Sequence, residues 1–156
     1  MSDEENNIDL EAARQAMLAG QSLIEHLDLP PDLAKGLYAV AQLHFDGARY
    51  DEARQTCLQL AALDPRLPEV WGLLGNCCMR EGAFAEALEA WSYALYLKPD
   101  YMLALEVTRT ALALKDEVSA WVGLHAMRKH AQSPEQRSRC SELEQTLLAL
   151  SDEADD

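Results

Sequence analysis

Residues 71–99 read WGLLGNCCMREGAFAEALEAWSYALYLKP, and this stretch decides the fold. Sliding the chain against itself finds the same pattern 34 residues earlier. Leu37 pairs with Trp71, Val40 with Leu74 and Ala41 with Gly75; Tyr50 pairs with Phe84, Ala53 with Ala87, Cys57 with Trp91 and Pro65 with Pro99. Size and apolar character are kept at nearly every pair, which two unrelated helical hairpins would not reproduce at one offset. Each copy reads as two antiparallel helices. The small residues Ala41/Gly75 and Ala53/Ala87 let those helices approach closely. Gly47 and Gly82 fall in the turns between them, where a chain reversal is easiest without a Cβ. Pro65 and Pro99, which follow Asp64 and Lys98, stop the second helix of each pair.

The second copy runs Trp71-x-x-Leu74-Gly75-x-x-Cys78, then Ala87-x-x-x-Trp91, then Pro99. It resembles the tetratricopeptide-repeat signature, with Cys78 where a tyrosine is expected and Trp91 in the place of phenylalanine. A third copy is degraded. Leu105 stands 34 residues after Trp71, but Thr108 and Arg109 replace the Leu-Gly pair. Its turn, around Lys115 and Asp116, is one residue short, so Ala120, Leu124 and Met127 match Ala87, Trp91 and Ala94. Terminal repeats are often atypical because one side meets solvent or a cap.

Two further helices flank the repeats. Leu10, Ala13, Met17, Ile24 and Leu27 keep helical spacing over residues 8–27, ahead of the Pro30-Pro31 break. Near the other end Ser133 serves as N-cap, with Pro134 in the first helical position and Gln136 closing a capping box; Cys140, Leu143, Leu147 and Leu150 follow as an apolar stripe. The expected architecture is all-α, a solenoid of eight helices. Its parts are an acidic tail over 1–7, an N-terminal helix over 8–27, repeats over 34–67, 68–101 and 102–132, a C-terminal helix over 134–150, and a second acidic tail over 151–156.

Composition narrows the function classes. The chain has 156 residues, 49% of them apolar, enough for a core, and 13 basic against 27 acidic side chains give a net charge of −14. The two ends, 1–11 and 142–156, hold eleven of the fourteen surplus charges, so the repeat body is nearly balanced. The acidic excess argues against nucleic-acid binding and against docking on anionic membranes, both of which need basic surfaces. No apolar run approaches the roughly 20 residues that span a bilayer, and the acidic N-terminus has no basic leader pattern, so a cytoplasmic setting is expected. Cys57, Cys77, Cys78 and Cys140 show no paired metal spacing and read as small buried thiols.

Catalytic patterns are missing. His26, His44, His125 and His130 form no HExxH motif, and His44 occupies a packing slot repeated by Cys78 and Leu112. No Gly-rich loop follows a strand. Asp51-Glu52 and Asp116-Glu117 begin second helices, where the helix dipole favours negative charge. Neither enzyme activity nor a metal or cofactor is expected.

A partner is expected in the groove lined by first helices. On the first copy that face carries Tyr38, Gln42 and Phe45. The repeat period moves it to Gly72, Asn76 and Met79, then to Glu106, Thr110 and Ala113, with Lys35, Glu69 and Leu103 one turn earlier. Aromatics and methionine beside amides suit an extended peptide, whose side chains fill pockets while Gln42 and Asn76 bond its backbone.

Several runs sharpen this. The stretch Leu37-Tyr38-Ala-Val-Ala-x-x-x-Phe45 through Tyr50-Asp51-Glu52-Ala53, the run Leu74-Gly75-Asn76-Cys77, the run Trp91-Ser92-Tyr93, and the leading Ala16-Met17-Leu18-x-Gly20 resemble the class II chaperones of bacterial type III secretion. The resemblance covers roughly residues 10–130. It implies three tandem repeats and a concave groove, lined by Tyr38, Phe45, Asn76 and Met79, that grips a segment of a hydrophobic translocator protein. It also implies a cytoplasmic homodimer involving the N-terminal helix, with Leu10, Ala13, Met17 and Ile24 at the interface. The alternatives are a generic tetratricopeptide adaptor and a needle-subunit chaperone. Glu106 and Thr110 disfavour the form of adaptor that clamps a carboxylate tail with cations, and the leading helix and length fit the translocator class better.

Overall fold

The computed structural model describes residue 15 and residues 18–154. Among the described residues there are eight α-helices and no strand: α1 (Leu23–His26), α2 (Leu33–Asp46), α3 (Tyr50–Leu63), α4 (Pro68–Glu81), α5 (Phe84–Leu97), α6 (Tyr101–Ala113), α7 (Glu117–His130) and α8 (Pro134–Ala154). Helices α2/α3, α4/α5 and α6/α7 are hairpins stacked in chain order, and α8 closes the far end. One core runs through the stack, from Ala41, Cys57 and Leu60 through Val70, Cys77 and Trp91 to Val107, Leu124 and Met127, and is finished by Cys140 and Leu147 of α8. This all-α tetratricopeptide solenoid is the architecture that the sequence predicts.

The three hairpin turns are built alike. The Arg49 N–H donates to the His44 carbonyl, Ala83 to Cys78 and Asp116 to Ala111, each at 2.9 Å, so every first helix ends in the same closed hydrogen-bonded loop. Each loop needs one left-handed residue, supplied by Ala48 (φ 56°), Gly82 (φ 77°) and Lys115 (φ 58°). The expectation for Gly47 is corrected here: its φ is −79°, and the position that needs freedom is the next one. Lys115 takes that position one residue early because Ala111, whose carbonyl closes the turn, comes one residue short of the 34-residue period after Cys78. The turn itself is not short, contrary to the expectation from sequence; the missing residue lies before it. A side chain held left-handed costs about 1–2 kcal/mol, and the extra freedom of an unfolded glycine takes back part of that. Ala48→Gly and Lys115→Gly are therefore each expected to add about 0.5–1 kcal/mol of stability, read as a higher urea midpoint at unchanged slope. A lower midpoint would show that neither residue is strained.

Close approach within the hairpins has two solutions. In α4/α5, a Cβ on Gly75 would lie 2.8 Å from Trp91 Cγ and nearer still to two other indole atoms. In α6/α7 the missing glycine is replaced from the opposite helix. Gly123 lies so close to α6 that a Cβ there would stand 3.0 Å from the Thr108 backbone nitrogen. Thr108 is fully buried, and its hydroxyl is satisfied by donating to the Ala104 carbonyl at 2.8 Å. The degraded third copy is thus fully packed.

The ends hold two findings. The helix expected over 8–27 is interrupted, because Gly20 is left-handed (φ 68°) and the chain is non-helical over 19–22 before α1. α1 is tied down by Arg66, whose guanidinium donates to Glu25 and to both oxygens of Asp64 at 3.0 Å. Burial pushes the Asp64 carboxyl up, but hydrogen bonds from the Arg66 side chain and backbone outweigh it and hold the group below its ordinary value. At the other end the capping box forms: the Gln136 backbone N–H donates to Ser133 Oγ at 3.2 Å, and the Gln136 side-chain Oε1 accepts from the N–H groups of Gln132 and Ser133. α8 runs beyond residue 150 to Ala154, so part of the expected tail is helical, and Ser151 donates to Glu117 at 3.1 Å. Arg128 and Glu144 pair across α7 and α8. All four cysteines are buried and free; the contact with Cys77, together with burial, pushes the Cys57 thiol far up, so it stays protonated.

Candidate functional site

The repeat period places one face of α2, α4 and α6 in register, and three depressions open along it. The first, about 490 Å³, lies between α1, α2 and the loop before α4 and is lined by Lys35, Tyr38, Gln42 and Glu69 over an apolar floor of Ile24, Leu67 and Val70. The second, about 390 Å³, shares Tyr38, Gln42 and Glu69 with the first and adds Phe45, Gly72 and Asn76. The third, about 370 Å³, lies between α4 and α6 and holds Met79, Glu106 and Thr110.

Eleven of the twelve groove residues read from the sequence thus line a depression. Leu103 does not; it is half-buried and packs on the core. Thr110 is only 6% exposed and forms floor rather than rim. Of the residues expected at a dimer interface, Leu10, Ala13 and Met17 lie outside the described residues. Ile24 is 8% exposed and packs into its own chain, because the break at Gly20 turns α1 onto the repeat body.

Local contacts fix the polar groups. Gln42 Nε2 donates to the Tyr38 hydroxyl one turn away at 3.4 Å. Burial raises the Tyr38 phenol above its ordinary value, the Glu69 carboxylate adds to that, and the Gln42 bond opposes it only in part. Tyr38 is therefore a protonated donor at neutral pH. Phe45 is braced edge-on by Tyr50, with ring centres 5.3 Å apart, and Arg80 stands over the other ring partner at 5.8 Å.

Sequence reasoning missed the part played by Trp91. Its indole N–H reaches both the Gly72 carbonyl and Asn76 Oδ1, each at 3.2 Å. An indole can only donate, so Asn76 accepts it at Oδ1, and the NH₂ of the same side chain, which lines the second depression, remains a donor. The substitution of tryptophan for phenylalanine in the signature was visible; that its nitrogen would meet Asn76 required the helix pairing. Also missed were Asp46 in the second depression, and Phe84, Arg109 and Leu114 in the third. Phe84 opens α5 and Leu114 directly follows α6, so neither lies on the first-helix stripe.

The ensemble offers apolar hollows at intervals, with amide and hydroxyl donors between them. That is the chemistry of gripping an extended chain by alternate side chains and backbone carbonyls. Among the described residues no group of three His, Cys, Asp or Glu side chains could hold a metal ion. No described helix is long and apolar enough to cross a membrane.

Comparison with known proteins agrees with this geometry. The tetratricopeptide-repeat family profile matches residues 68–101. No curated protein sequence matches the chain. Among solved structures, a type III secretion complex from Aeromonas hydrophila is similar with a TM-score of 0.70 at 22% identity, covering 93% of this chain and 98% of that one. The Yersinia enterocolitica type III secretion chaperone SycD, in complex with a peptide of the translocator YopD, is similar with a TM-score of 0.63 at 20% identity, covering 81% and 98%. PcrH of Pseudomonas aeruginosa, in complex with the chaperone-binding region of PopD, is similar with a TM-score of 0.61 at 22% identity, covering 81% and 96%. At these identities the likeness establishes a shared fold.

Proposed function

We propose that this chain is a cytoplasmic, homodimeric chaperone of type III secretion, which holds a hydrophobic translocator protein by one extended segment laid along the α2/α4/α6 face. The observation that carries the reading is the row of depressions itself. Tyr38, Gln42, Phe45, Asn76 and Met79 line hollows on one stripe. The fold that presents them is shared with chaperones solved with translocator peptides.

The mechanism needs no energy source. A translocator with long apolar stretches inserts or aggregates when free. Side chains of one segment enter the hollows, while Tyr38 and Asn76 donate to its backbone carbonyls and Gln42 supplies a further amide. Each polar contact then replaces a bond to water at little net cost, and burial of the apolar anchors supplies affinity. The acidic surplus at the two ends of the chain keeps the loaded carrier dispersed.

Co-expression tests the proposal. A translocator made with this chain is expected in the soluble fraction and to co-purify with it, whereas the same translocator made alone pellets. Recovery in the pellet in both cases would refute the reading.

A further inference from the structure

The third depression carries a charge that the fold does not require. Counted from the residue whose carbonyl closes each hairpin turn (His44, Cys78 and Ala111), Arg109 is the counterpart of the exposed groove amides Gln42 and Asn76, and Thr108 is the counterpart of the buried Ala41 and Gly75. In the third hairpin Gly123 supplies the close approach instead, against Thr108. Position 109 therefore takes no part in the close packing of the hairpin, and an arginine stands there with its side chain 59% exposed.

Its setting is specific. Arg109 lines the hollow of about 370 Å³ together with Met79, Phe84 and Leu114. Phe84 is 50% exposed and Leu114 40%, so the apolar walls are uncovered. The ion pair found for Arg109 is with Glu106, one turn back on the same helix, at 3.9 Å and with both side chains substantially exposed. A pair of that length and exposure contributes little and is readily exchanged. A guanidinium can also take an incoming carboxylate with two parallel N–H donors, a geometry that the long Glu106 contact does not use. The neighbouring depression has the opposite character. Asp46 and Glu69 line it, and no lysine or arginine does.

From this alternation, and resting on the chaperone reading above, we infer that the groove selects cargo by charge order: the bound segment carries an Asp or Glu beside the apolar anchor that fills the Met79–Phe84–Leu114 hollow, with its carboxylate on Arg109. Arg109 is then a specificity residue. It leaves the apolar grip unchanged and decides which apolar segment is accepted, because a lysine at that place would face the guanidinium while an aspartate or glutamate would pair with it.

A displayed library of random peptides about twelve residues long, selected in parallel on the full chain and on Arg109→Glu, reads this directly. Wild type is expected to enrich an acidic residue next to an apolar anchor, and Arg109→Glu to enrich Lys or Arg at the same place. Reversing that charge in the enriched peptide should weaken wild-type binding about tenfold and restore binding to Arg109→Glu. Arg109→Gln, which is isolated from the core, should bind both peptides equally. One enriched motif shared unchanged by wild type and Arg109→Glu would overturn the role of Arg109 while leaving the groove intact. Absence of any enriched motif on wild type would overturn both.

Discussion

Gly75→Ala is expected to destabilise the protein by about 2 kcal/mol, although alanine is the better helix former. In an open helical position the exchange gains up to about 1 kcal/mol. At position 75 the new methyl would meet three atoms of the Trp91 ring, the farthest of them at 2.8 Å. The ring cannot swing aside cheaply, since its N–H is held by the Gly72 carbonyl and Asn76 Oδ1 and its body is 3% exposed. Overpacking of this kind costs about 1–3 kcal/mol and outweighs the propensity gain at the upper end of that range. In thermal unfolding the loss reads as a Tm lower by about 4–8 °C, while Gly36→Ala, whose added Cβ meets nothing within 4 Å, should be neutral or stabilising. An unchanged Tm for Gly75→Ala would mean that α4 and α5 can separate without penalty.

Gly72→Leu is expected to weaken translocator-peptide binding by about thirtyfold or more while the fold is retained. Gly72 lies on the same helix, three residues earlier, with nothing within 4 Å of its would-be Cβ, because that Cβ points into the second depression. A leucine there would fill the hollow between Phe45 and Asn76 that the cargo anchor is proposed to occupy. The measurement is a peptide titration paired with a thermal melt of each variant. Gly36→Leu on α2, which lines none of the depressions, is the control and should bind as wild type does. Full affinity in Gly72→Leu with an unaltered melt would place the cargo elsewhere. The two substitutions separate what adjacent glycines do: Gly75 serves packing, and Gly72 leaves space.

Much of this was legible before any coordinates. The pairing of Leu37 with Trp71, Ala53 with Ala87 and Pro65 with Pro99 specifies two helices per copy and their boundaries, and α2 to α5 follow it closely. The groove stripe was legible for the same reason. A 34-residue repeat carries one helix face to the equivalent face of the next, so Tyr38, Gly72 and Glu106 share a side once their helices stack. The reading failed where neighbouring elements replaced a local rule. Position 109 breaks the signature, and by sequence alone this read as decay of the third repeat. Gly123 on the partner helix makes the same approach from the other side. Gly47 read as the turn glycine, yet the left-handed residue is Ala48, since hydrogen-bond closure of the turn sets which position is inverted.

The sequence by itself thus determined the helical hairpins, their period, the face they present and the acidic character of the ends, because all of these follow from local spacing and composition. Only the tertiary structure decided how that face is equipped. It set Trp91 against Asn76, folded Ile24 inward behind the break at Gly20, and stood Arg109 in an apolar hollow with a weak partner. Those outcomes depend on distances between helices, and a repeat read along one chain fixes the order of its side chains but not how near the next helix comes.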